Sequence, residues 1–152
     1  MSFSHSLMVS ASGLTAERLR LDTISNNIAN VNTTRTPQGG PYRRQQAIFA
    51  SRSGNEGFAA FLSEARGGNA RRQIGNGVEV TGVVPDMSRD FKVVHDPSHP
   101  DADANGNVKL PNVEPVTEMV DMMSSSRAYE AGVTAINAAK QMEQKALEIG
   151  RG

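Results

Sequence analysis

Residues 101–107, DADANGN, place oxygen-bearing side chains at alternate positions, the spacing of a cation-binding loop. Asp101, Asp103 and Asn105, followed by Gly106, match the first half of a calcium loop, where alternate side chains face one ion and a glycine makes the sharp bend. The twelfth position of that pattern calls for a bidentate glutamate, and here it is Asn112. Pro100, Pro111 and Pro115 also oppose helices on either side of the loop. The segment therefore reads as an Asx-rich turn, with a small calcium- or metal-binding module built on Asp101 to Asn107 as the alternative. His95, His99, Asp96, Asp101 and Asp103 include further metal-ligand types, but no helical or strand spacing aims them at one centre.

Other chemistry finds little support. The chain has no cysteine, which removes disulfides, thiolate metal sites and cysteine nucleophiles. No serine lies in a nucleophile elbow, and no glycine-rich stretch joins a strand to a helix as a phosphate loop does. Sixteen basic residues balance sixteen acidic ones, which argues against general nucleic-acid binding or a polybasic membrane patch. A carboxylate pair in a pocketed fold, as glycan hydrolysis needs, is not apparent. The reading is a non-enzyme with no cofactor and no small-molecule substrate. The Arg43–Arg44 pair beside Tyr42 reads as a solvated turn. The start of the chain shows no basic segment followed by a long apolar run, so no secretory signal is expected.

Two long helices must carry what remains. Leu7, Leu14, Leu21 and Ile28 recur every seven residues, a narrow coiled-coil-like seam that predicts a helix over residues 6–31. At 1.5 Å per residue it would be roughly 40 Å long. Pro37, Gly39, Gly40 and Pro41 then break it. Pro115 suits the first turn of a second helix, where its missing N–H costs nothing. Met119, Met122, Ser126, Tyr129, Val133 and Ile136 follow at spacings of three and four, and the helix is expected to reach Ile149.

Between them, RRQQAIFASRS suggests a strand. VEVTGVV and FKVVH suggest two more, paired as a hairpin. Residues 51–72 read as a glycine-rich insertion with one short helix around Phe58 to Ala65, and the stretch from Asp96 to Pro115 as one long loop. The fold is thus expected to be mainly α. The terminal helices, residues 1–35 and 115–152, form a coiled-coil-like bundle, and residues 36–114 form a loop and small β insert.

NNIANVN closes the first helix with four asparagines in seven residues. Asparagine disfavours helix interiors because its amide competes for backbone groups. Asn26, Asn27 and Asn30 share one side of the helix, beside the apolar seam. They read either as a fraying end or as a polar strip that fixes register between packed helices.

SGLTAERLRLDTISNNIANVNTTRTPQGGPYRRQ resembles the N-terminal signature of the flagellar axial proteins: a helix, an N-N-x-A-N-x-N core and a Gly-aromatic-basic turn. Asn26, Asn27, Ala29, Asn30 and Asn32 match the core, and Gly40, Tyr42 and Arg43 match the turn. Residues 99–142 are similar to the C-terminal half of the proximal rod subunits of that family. The resemblance implies a structural subunit of the flagellar basal-body rod, exported unfolded through the flagellar type III apparatus without a cleaved signal peptide. Beyond the cytoplasmic membrane it would assemble, with copies of itself and other rod proteins, into a helical tube cored by terminal helices. Leu7, Leu14, Leu21 and Ile28 are then expected to pack on Met119, Met122, Tyr129, Val133 and Ile136, within and between subunits. Asn26, Asn27 and Asn30 are expected to set the stagger.

Overall fold

A computed structural model describes residues 3–52 and 75–150. Helix α1 spans Phe3–Ala29 and helix α2 spans Pro115–Ile149, with four strands between them: β1 Gln45–Ser51, β2 Val78–Pro85, β3 Lys92–His95 and β4 Asn107–Leu110. The fold is mainly α with a small β insert. The expected helix at Phe58 to Ala65, like most of the residue 51–72 insertion, lies outside the described residues.

Both helices begin and end for local reasons. Pro115 sits in the first turn of α2, and the Glu118 N–H opens the helix by donating to the Glu114 carbonyl. At the end of α1 the Asn30 N–H reaches the carbonyls of Asn26 and Asn27, and its side-chain amide donates to the Asn26 carbonyl at 2.9 Å. The Asn26 carbonyl thus accepts twice from Asn30, which holds the last turn closed.

The strand pairing departs from the expected hairpin. β2 pairs antiparallel with β1, with a register shift between Ile48 and Phe49, and β3 pairs antiparallel with β4. The link from β2 to β3 cannot close a hairpin because it is bound elsewhere. Asp86 Oδ1 accepts from the N–H and hydroxyl of Ser88, and the Asn112 amide donates to the Asp86 and Arg89 carbonyls, both at 3.1 Å. The stretch expected to be one loop therefore contains β4, which brings Val108 into the core.

The helices run antiparallel: Asn27 meets Glu118, and Leu14 meets Gly132. Along α2 the face turned to α1 carries Glu118, Ser125 and Gly132, spaced by seven, the first two fully buried. Leu7, Leu14, Leu21, Ile28, Met122 and Ile136 are half-buried. Met119, Tyr129 and Val133 do not close on α1 and stay 59%, 36% and 36% exposed. Gly132 lets Leu14 of α1 approach closely, Ser125 is small and buried one heptad before it, and Glu118 fills the end of the face nearest β1.

Among the described residues the buried apolar set is Ala16, Ile24, Val108 and Val113, whereas Thr23, Asn27, Asp86, Asn112, Glu118 and Ser125 are buried and polar. Where the helices meet the insert, the core is therefore held by hydrogen bonds more than by apolar area.

Candidate functional site

Asn27 stands in the last turn of α1, two residues before its end, and none of its surface is exposed. Its side-chain oxygen accepts from the Gln45 N–H and from the Tyr42 hydroxyl, both at 2.9 Å. Its amide donates to the Gln45 carbonyl at 2.8 Å and to Glu118 Oε2 at 2.9 Å. An amide offers two donors and two acceptor positions, and all four are used. One side chain thus pairs with the first residue of β1 as a neighbouring strand would, and also binds the first turn of α2.

Glu118 is fully buried, and its other oxygen accepts from Arg44 Nε. A buried carboxylate is costly unless it is paired and hydrogen-bonded, and here Arg44 and Asn27 meet both needs. The Arg44 guanidinium also reaches Asp121 at 3.3 Å and Asp86 at 3.6 Å. Its backbone N–H donates to Asn112 Oδ1 at 2.8 Å. Arg44 is thus a part-buried junction, not the solvated turn residue expected from the neutral chain. Arg43 lies 4.3 Å over the Phe91 ring and donates to the Asp86 carbonyl.

The surroundings shift two groups. The Ser88 hydroxyl and N–H, helped by the Arg44 and Arg89 charges, hold the Asp86 carboxyl below the usual aspartate range despite its burial. Burial, and then the Glu118 charge, push the Tyr42 phenol above its ordinary value. Gly39 and Gly40 take positive φ angles of 88° and 77° in the turn that sends Tyr42 back to the Thr33 carbonyl.

The asparagines divide by role. Asn27 closes a clasp between α1, β1 and α2, with all four hydrogen-bond positions of its side chain used within the subunit. Asn26 and Asn30 bond to each other at 3.0 Å on the exposed side, with Asn26 also 3.4 Å from the Tyr42 hydroxyl. The aspartates of residues 101–107 serve as turn acceptors: Asp103 Oδ1 accepts the Asn105 and Asn107 N–H groups, and Asp101 accepts from Thr34. Among the described residues no three His, Cys, Asp or Glu side chains converge as metal ligands.

Sequence reasoning missed Glu118, Asp86 and Asn112. Glu118 stands next to Met119 of the expected seam, and nothing in its spacing marked it as the inward residue.

Two family descriptions match the ends of the chain: "Flagella basal body rod protein" over residues 7–35 and "Flagellar basal body rod FlgEFG protein C-terminal" over residues 104–149. Curated proteins named flagellar basal-body rod protein FlgC match along the whole length. That of Bacillus subtilis (strain 168) is 49% identical over 99% of this chain and all of its own. The chain belongs to the FlgC family. The Borreliella burgdorferi relative is 50% identical, with both chains covered in full, and the Salmonella typhimurium relative is 36% identical over 94% of each chain. The two matched segments supply Asn27 and Glu118, so the clasp joins the regions the family descriptions recognise, with Arg44 from the insert between them.

Proposed function

We propose that this FlgC-family chain is a structural, non-enzymatic subunit of the flagellar basal-body rod, placed in its proximal part. Residues 1–35 and 115–152 act as the assembling unit, and residues 36–114 ride on it as the insert. The subunit reaches the rod through the flagellar export apparatus and packs with copies of itself and other rod proteins by coiled-coil-like contacts. One observation carries this reading. The inner face of α2 is closed by Glu118, Ser125 and Gly132, while its outer face presents Val116, Met119, Val120 and Met123, each between 58% and 70% exposed. Positions i, i+3, i+4 and i+7 form one stripe. Burying each large side chain of that stripe contributes about 1.5–3 kcal/mol, and methionine adapts to more than one neighbour. Met119, Tyr129 and Val133 then contact other subunits, and the Asn26–Asn30 pair sets register at the helix end.

The test is complementation of a strain lacking the gene with Val120→Asp. The reading expects normal amounts of exported subunit, no recovered basal bodies and no swimming. Normal swimming with Val120→Asp would reject the outer face of α2 as the assembly surface.

A further inference from the structure

The chain has seven methionines and no cysteine, so the thioether is the sulfur group it offers to an oxidant. Met119 and Met123 stand four residues apart on α2, on one side and about 6 Å apart along the axis. Both are more than half exposed. Their neighbours on the outer stripe are Val116 and Val120, which carry no side-chain donor. Met122 belongs to the same turn but is half-buried. Oxidation of methionine turns a flexible apolar side chain into a polar one. An oxidant in the surrounding water reaches the outward pair more readily than Met122.

The effect of oxidation here is confined to the outer face. A sulfoxide oxygen is a hydrogen-bond acceptor, and a stripe of valine and methionine gives it nothing to accept from. In the free subunit water fills that role. Against another apolar surface the oxygen loses water and finds no donor, the condition under which a polar group is costly to bury. The subunit's own fold is untouched, because Glu118, Ser125 and Gly132, not Met119 and Met123, form the face of α2 turned to α1.

We propose that Met119 and Met123 form an oxidation-sensitive site, which lets the chain assemble as thioethers and holds it back as sulfoxides. In each step a sulfur lone pair takes one oxygen from a peroxide and the peroxide O–O bond breaks. The sulfur is oxidised by two electrons, the peroxide is reduced by two, and its other oxygen leaves as water or an alcohol. Methionine sulfoxide reductases reverse the change. The inference rests on the outer face of α2 being the assembly surface, and it adds the chemistry that turns that surface off.

The experiment induces expression of the chain in cells held in sublethal hydrogen peroxide. Peptide mass spectrometry then measures sulfoxide at Met119 and Met123 in two pools, chain outside basal bodies and chain within isolated basal bodies. Sulfoxide at the two residues should be enriched about tenfold in the first pool. Replacing both by leucine keeps the apolar surface and should make incorporation insensitive to peroxide. Met87→Leu, at the most exposed methionine among the described residues, should give no such protection. Circular dichroism of the purified chain should be the same before and after peroxide, and a loss of helix would place the damage in the fold and overturn the inference. Equal sulfoxide in the two pools, no sulfoxide at either residue outside basal bodies, or protection by Met87→Leu would also overturn it, and the rod reading would stand. If the chain is absent from basal bodies without peroxide, both are overturned.

Discussion

Leu14 fills the notch left by Gly132: a Cβ at residue 132 would lie 2.7 Å from Leu14 Cδ2 and 3.4 Å from its Cγ. A glycine in mid-helix costs about 1 kcal/mol relative to alanine, and here it is offset by the close approach of α1 and α2. Two effects oppose each other in Gly132→Ala, because the helix gains propensity while the flexible end of Leu14 is displaced. Thermal melts of that variant should lie within about 1 kcal/mol of wild type. Gly132→Ile should destabilise by about 1–3 kcal/mol through overpacking, and adding Leu14→Ala should recover part of the loss. A fully stable Gly132→Ile single variant would show that the helices do not meet at this point.

Asn27 and Asn30 should respond differently to alanine. Asn27→Ala leaves Glu118 Oε2 and both polar groups of the Gln45 backbone without their buried partner. The cost is about 1–3 kcal/mol for each group that water cannot reach. Asn30→Ala loses exposed bonds near Asn26 and should change stability by no more than about 0.5 kcal/mol. Urea titrations of the two single variants give the comparison, and equal losses would contradict the clasp.

Acid should loosen the junction through Asp86. Its folded pKa is below the unfolded value of about 3.9, so its contribution is complete above that value and is lost as pH falls through the folded pKa. Asp86→Asn should be less stable at neutral pH, because Arg44 loses a partner, and should show a shallower acid limb than wild type. An unchanged acid limb, measured by circular dichroism between pH 5 and about pH 2, would remove Asp86 from the account.

Alkali should act through Tyr42 with the opposite sign. A raised phenol pKa means the folded state favours the neutral hydroxyl, whose stabilisation is present below about pH 10 and is lost as pH rises through the folded value. Tyr42→Phe removes the hydrogen bond to Asn27, at a cost of about 1 kcal/mol, and should flatten the alkaline limb. Ultraviolet titration of the phenolate alongside stability measurements would follow both effects.

The helices were legible because their signals are local. Proline in the first turn and the recurring apolar seam placed α2 at its observed bounds, and α1 differs from expectation by a few residues at each end. Strand partners were not legible, because pairing of β2 with β1 depends on where residues 86–91 are held, and Asn112 decides that from 23 or more residues away. β4 was hidden in NVKL, a short run with a central lysine beside a turn-rich stretch. Ser125 and Gly132 were not legible as residues facing α1, because methionine outranks serine and glycine in hydrophobicity, whereas close helix approach selects for size. Arg44 looked solvated because its three carboxylate partners are 42 to 77 residues distant.

The position of the clasp has a mechanical consequence. The connections between the helices and the insert, residues 30–44 and 111–114, are themselves tied together where the Arg44 N–H meets Asn112. A twist applied to the helix pair therefore cannot be absorbed by bending these two segments. It crosses into β1 through Asn27 and Arg44, whose bonds to Gln45, Glu118 and Asp121 resist displacement in several directions at once. The joint works as a key seated in a shaft, and in a turning machine it would make the insert follow the helices without lag.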